Sequence, residues 1–161
     1  MIYCANPKLH DEKVSDEVLL SIQQVLESGE YILGKQVSTF ERDFSAYISQ
    51  NFGVGVNSGT DALILSLRAL NIGPGDEVIT VAHTALATVS AIIACGATPV
   101  LVDVDPLYFT INPIDMEQAV TKRTKAVIPV HIYGQAADMA LILDIAKETG
   151  IHVIEDCAQA T

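Results

Sequence analysis

The residues able to do chemistry in this sequence gather where apolar runs end. Ile151 to Ile154 reads as a buried strand, and Glu155-Asp156 stands where it runs out. A carboxylate at the end of a buried strand is costly unless something positive meets it. In parallel α/β sheets that rim is also where ligands bind. Asp156 is therefore expected to have a cationic partner. The chain stops at Thr161, so the pattern suggests half a site, with the other half elsewhere or missing.

A second candidate is the junction Val56-Asn57-Ser58-Gly59-Thr60-Asp61. Ser58, Gly59 and Thr60 fall at a helix start, where backbone N–H groups are unpaired and the dipole is positive. Small residues admit an anion there, and two hydroxyls can add hydrogen bonds. An ordinary Ser or Thr N-cap fits the same spacing, so both readings stand. His83, in Val81-Ala82-His83-Thr84-Ala85, ends the next strand. Its ring either builds the loop or stacks on a ligand.

Other motifs are weaker. Asp103-Val104-Asp105 matches the DxD of some metal-dependent glycosyltransferases, but a turn-forming Asp after a strand gives the same letters. His131-Ile132-Tyr133-Gly134-Gln135 ends a further strand and either faces the rim or makes a turn. His152 and Glu155 lie three apart on a strand and point to opposite faces, so they are no ligand pair. Cys157 has no histidine placed by the sequence to activate it. GxxxxGK[ST] is absent, and Gly53, Gly55 and Gly59 are spaced one residue too long for the dinucleotide fingerprint, which argues against NAD.

These groups must be positioned by the elements between them. Helical spacing covers 15–27, with Ser15 as N-cap and Pro7 breaking any earlier helix, and again 36–49. From there strands and helices alternate. Strands are expected at 52–56, 77–81, 98–104, 125–130 and 151–154. Helices are expected at 61–70, 84–94, 115–120 and 139–148. Near-continuous apolar strands are buried on both faces, which predicts an α/β fold with a mainly parallel sheet and helices on both sides.

Composition narrows the partners. The 161 residues carry 20 acidic and 9 basic side chains, a net charge of −11. That argues against nucleic acid and anionic membranes, yet a helix N-terminus can hold a phosphate without net positive charge. No apolar run reaches membrane-spanning length, and Met1 to His10 lacks the form of a secretory signal. Cys4, Cys95 and Cys157 are odd in number and lack zinc spacing, so no metal site is expected; they read as reduced cytosolic thiols.

NSGTDAL, GPGDEVIT, AHTALAT, GATPVLVDVD, PVHIYGQAADM and VIEDCAQA follow one another here. In that order they resemble the DegT/DnrJ/EryC1/StrS family of sugar aminotransferases, fold-type-I enzymes that use pyridoxal 5′-phosphate (PLP). The resemblance implies roles for particular residues. Ser58, Gly59 and Thr60 match the PLP-phosphate segment, and His83 the position stacking on the cofactor ring. Asp156 matches the partner of the pyridine nitrogen, and Gln159 the residue bonded to the phenolic oxygen. Tyr31 and Gly34, in a GxYILG-like segment, match a region near the sugar nucleotide.

The family's Schiff-base lysine lies beyond the EDxAQA segment, and none of the six lysines here stands in that context. The resemblance therefore implies a partial large domain over 51–161, preceded by a helical segment over 1–50, with no catalytic residue in the chain and no turnover by it alone. The parent reaction would pass an amino group, with glutamate as donor, to a nucleotide-linked keto-sugar in amino-sugar and polysaccharide biosynthesis. It implies a cytoplasmic homodimer or higher oligomer, with the surface around 28–36 as a contact. Three alternatives remain: a non-catalytic binding or assembly module, a relative of the PLP-dependent sugar dehydratases, and a DxD glycosyltransferase.

Overall fold

The computed structural model describes residues 7–160. The chain divides into two compact units, Met1–Gly55 and Val56–Thr161.

In the first unit, α1 spans Pro7–Ser28 and α2 spans Lys35–Tyr47. Pro7 opens α1 instead of breaking it, and Ser15 lies inside that helix, not at its cap. Proline suits a first helical position because its missing N–H needs no partner there. Gly34 precedes α2, and a Cβ on it would sit 2.9 Å from the Glu30 carbonyl oxygen, so glycine is required by close packing. The strand expected over 52–56 does not form. Its backbone is engaged by α2 instead. The Gly55 N–H donates to Glu41 Oε1 at 2.7 Å, and a Cβ on Gly53 would meet the Glu41 carbonyl oxygen at 2.7 Å.

The second unit runs α3 (Gly59–Ala69), β1 (Glu77–Val81), α4 (Leu86–Ala94), β2 (Thr98–Val102), α5 (Pro113–Gln118), β3 (Thr124–Ile128), α6 (Met139–Thr149) and β4 (His152–Val153). A 3-10 turn at Ile132–Gly134 follows β3. The four strands form one parallel sheet in the order β2-β1-β3-β4, so four of the five expected strands exist.

Side-chain alternation along the strands divides the core. Val78, Ala126 and Ile128 pack with Leu63 and Leu67 of α3 and Ala91 and Ile92 of α4. Ile79, Val81 and Val127 face the other way, onto Met116 of α5 and Ile142 and Ile145 of α6. Helices thus cover both faces, as continuous apolar strands require. No helix among the described residues is long and apolar enough to cross a membrane.

At the amino rim, Glu77 is buried where β1 begins. The Thr121 hydroxyl and the Arg123 guanidinium both donate to its carboxylate. These bonds, that of Thr121 first, hold its pKa below the usual carboxylate value. The folded state then binds fewer protons at this group than the unfolded state. Its contribution is present above the ordinary carboxylate range and is lost as pH falls through the depressed value. Glu77→Gln should therefore be less stable than the parent chain at pH 7, with a smaller gap at about pH 3, below the unfolded carboxylate range. Urea unfolding at both pH values checks this; a gap that did not shrink on acidification would contradict it.

Candidate functional site

The chain runs from β1 outward to β2, then returns to place β3 on the other side of β1. The order therefore reverses between β1 and β3, and open α/β sheets bind ligands outside the carboxyl ends of strands at such a point. His83 leaves the end of β1, and His131 and Tyr133 leave the end of β3. The His83 Nε2 lies 3.0 Å from the Tyr133 hydroxyl, with the rings tilted at 53° and 5.7 Å apart.

Asp156 reaches the same rim through its backbone. Its N–H donates to the Pro129 carbonyl at 2.9 Å and its own carbonyl accepts from the His131 N–H at 3.1 Å. A single parallel bridge, Val130 to Asp156, thus carries the β3–β4 line past the regular ladder. The side chain is held on both oxygens. Thr88 Oγ1, fully buried in α4, donates to Oδ2 at 3.0 Å. The Ala158 N–H donates to Oδ1 at 3.2 Å. Thr84 Oγ1 lies 2.9 Å from Thr88 Oγ1 and extends the chain of hydroxyls. The cationic partner expected for Asp156 is not a side chain: among the described residues no Lys, Arg or His forms an ion pair with it.

Gln159 Oε1 accepts the Tyr133 main-chain N–H at 2.7 Å. His83, Asp156 and Gln159 are thereby brought together around the reversal point, with Thr88 and Tyr133 as their supports. Thr88 carried a readable signal, being a hydroxyl on the buried side of an apolar helix. Such a group needs a partner.

Ser58, Gly59 and Thr60 start α3, which packs beside α4 under the same face. Ser58 is the N-cap: its Oγ accepts the Asp61 N–H at 3.1 Å and donates to Asp61 Oδ2 at 3.1 Å. Asn57 Nδ2 donates to the same carboxylate oxygen at 2.6 Å. The N–H groups of Gly59 and Thr60 have no partner among the described residues, and a Cβ on Gly59 would meet nothing within 4 Å. The capping reading therefore holds for Ser58, while the Gly59 and Thr60 N–H groups stay free. No hydrogen bond among the described residues ties this turn to Asp156. Tyr31 and Gly34 belong to the first unit; Tyr31 is 67 % exposed.

His131, Glu155 and Cys157 place their ligand atoms within 4.8 Å of one another. The donors are already committed. His131 Nδ1 accepts the Ala137 N–H at 3.1 Å, which leaves the proton on Nε2, 3.0 Å from Glu155 Oε2. No ring lone pair remains for a cation. Burial, then Glu155 and Asp156, push the Cys157 thiol up, so it stays protonated and weakly nucleophilic at neutral pH. The DxD carboxylates are likewise spent on the backbone. Asp103 accepts from Val104 N–H, and Asp105 from the N–H groups of Leu107 and Tyr108. They shape a turn.

A carboxylate with neutral donors on both oxygens suits a protonated ring nitrogen. A flat imidazole and an amide donor stand on the same rim, and the start of α3 offers free N–H groups. These residues fit a phosphorylated pyridine cofactor. A dTDP-3-amino-3,4,6-trideoxy-alpha-D-glucose transaminase of Streptomyces venezuelae is 48% identical over 149 residues, 92% of this chain and 39% of its own length. A UDP-N-acetyl-3-dehydro-alpha-D-glucosamine 3-aminotransferase of Acidithiobacillus ferrooxidans is 48% identical over 153 residues, 95% of this chain and 42% of its own length. Among solved structures, S. venezuelae DesV in complex with a ketimine intermediate superposes with a TM-score of 0.94 at 46% identity, covering 96% of this chain and 42% of that one. A sugar aminotransferase from Streptococcus pneumoniae in its PLP form gives 0.84 at 34% identity, covering 88% and 40%. The chain thus spans about two fifths of the length of the relatives it matches. A family model matches residues 12–161, and on that match the chain belongs to the DegT/DnrJ/EryC1/StrS aminotransferase family.

Proposed function

We propose that this chain supplies ring and phosphate contacts of a PLP-dependent nucleotide-sugar aminotransferase. The observation that carries the reading is Asp156, a carboxylate aimed by two neutral donors at the reversal point of the sheet, with no cationic side chain paired to it among the described residues. PLP, when bound, supplies the electron sink for amino transfer. Asp156 accepts the ring N–H and holds its proton in place. Thr88 and the Ala158 N–H fix the direction of that carboxylate. His83 offers a ring face. Gln159 has its oxygen engaged by Tyr133, so its Nε2 remains the donor for the phenolic oxygen. The Gly59 and Thr60 N–H groups and the Thr60 hydroxyl take the phosphate; Ser58 shapes that turn as its cap.

The substrate in this reading is a nucleotide-linked keto-sugar in the cytoplasm, with glutamate as amino donor. Tyr31 and Gly34 are assigned to the sugar nucleotide by the family motif alone. A homodimer is supported by the apolar surface at Tyr31, Ile32 and Leu33, which are 67%, 85% and 78% exposed.

The lysines of the second unit stand away from this rim. Lys122 and Lys125 flank the start of β3, and Lys147 lies in the last turn of α6, ahead of β4. In this reading the second unit binds PLP non-covalently. Titrating the 161-residue chain with PLP should give a saturable spectral change that dialysis reverses, with no single lysine trapped by borohydride. Absence of saturable binding, or reduction onto one specific lysine, would overturn the reading. Sedimentation of the same sample tests the dimer, which a monomer at tens of micromolar, on the order of usual assay concentrations, would rule out.

A further inference from the structure

Tyr133 is a non-glycine residue with φ 58°, followed by Gly134 with φ 81°. L side chains seldom adopt that region, and such a conformation persists only where surrounding contacts over-determine it. Packing does not explain the residue, because Tyr133 is 72 % exposed. Two hydrogen bonds do. The left-handed turn presents the Tyr133 N–H to Gln159 Oε1 at 2.7 Å and brings its hydroxyl to His83 Nε2 at 3.0 Å. Gly134 completes the turn against Gln159, whose carbonyl oxygen would lie 3.4 Å from any Cβ there.

We propose that Tyr133 is a positioning residue for the cofactor site, its hydroxyl holding the His83 ring and its main-chain N–H orienting the Gln159 amide. The proposal rests on the cofactor reading above. The two halves separate experimentally. A side-chain change removes the tie to His83 and leaves the N–H on Gln159. By binding the amide oxygen, that N–H turns Nε2 outward as a donor, the polarity a phenolate oxygen needs. With the hydroxyl gone, the His83 ring swings freely on an exposed loop and presents its face to a ligand for less of the time.

The test compares the parent chain, Tyr133→Phe, Tyr133→Gly, His83→Ala, the Tyr133→Phe/His83→Ala double variant and Asp156→Ala. The readouts are PLP dissociation constant, induced visible circular dichroism per bound PLP, and thermal midpoint. Tyr133→Phe should weaken binding about fivefold, the usual effect of one hydrogen bond. It should also lower the induced signal and leave the melting midpoint in place. Tyr133→Gly, which suits the left-handed backbone, should behave the same way. Adding Tyr133→Phe to His83→Ala should cost nothing further, since the hydroxyl acts only through that ring. Parent-like binding and dichroism in both Tyr133 variants, while Asp156→Ala weakens binding, would overturn the positioning role alone. So would full additivity in the double variant. Unchanged binding in Asp156→Ala would overturn the cofactor reading and this proposal with it.

Discussion

Asp156→Ala is expected to raise the PLP dissociation constant of the chain by about one to two orders of magnitude. A charge-assisted hydrogen bond of roughly 1.5–3 kcal/mol is lost, and each 1.4 kcal/mol or so is a factor of about ten. Three other groups lose their purpose in the same step. Thr88 Oγ1 loses its acceptor inside α4, the Ala158 N–H loses its own, and Thr84 is left bonded to an idle hydroxyl. Thr88→Val is the milder companion. It keeps the shape, leaves the carboxylate in place, and removes one neutral donor, for a loss of about fivefold. Thr88→Ser should recover most of that. Absorbance titration with PLP measures all three. Binding within a factor of about two of the parent chain for Asp156→Ala would be far below one charge-assisted bond, and would sink the assignment of this carboxylate to the ring nitrogen.

Ile79→Ala should be among the most damaging single truncations in the sheet. Ile79 is fully buried in the central strand β1 and packs against the α5 and α6 layer. Removing a buried isoleucine side chain to alanine costs about 2–5 kcal/mol, transfer and cavity together. Whole domains are stable by only about 5–15 kcal/mol, so the variant should lose a large share of its margin. Leu101 is the control. It lies on the edge strand β2 and is 53 % exposed, so Leu101→Ala should cost under about 1 kcal/mol. Urea unfolding gives both values. Equal losses at the two positions would show that the two-layer core described above does not carry the stability.

The fold class was legible because the strands announce themselves. Glu77–Val81 reads as a short apolar run bounded by Gly73-Pro74-Gly75 and by His83, and it forms with those bounds. Residues 52–56 look similar, yet a strand needs a partner as well as a propensity. Glu41 takes up that backbone, and its influence is 14 residues away in sequence. Pro7 misled for a different reason. Proline breaks a helix interior but suits a helix start, and periodicity does not say which position it holds.

The site was readable in part for similar reasons. His83, Asp156 and Gln159 follow strand ends, where a parallel sheet displays its ligands. Thr88 contacts Asp156 across 68 residues of sequence. Tyr133 owes its role to a left-handed backbone that no side-chain pattern encodes. In the sequence Asp61 marks only a helix start, whereas in the fold its carboxylate gathers Ser58 and Asn57.

The strand order has a further consequence at the ribosome. β1 takes β2 as its neighbour on one side after a single short helix, but its other neighbour, β3, emerges only after about 40 more residues have been made. Synthesis proceeds at about 5–20 residues per second. For roughly two to eight seconds, the nascent chain therefore presents one whole edge of a strand that is buried throughout in the fold, Glu77 to Val81, with no place yet to dock it. That interval, set by topology and translation speed together, is when a holdase has most to gain by binding this chain. Slowing elongation between codons 82 and 123 would lengthen it.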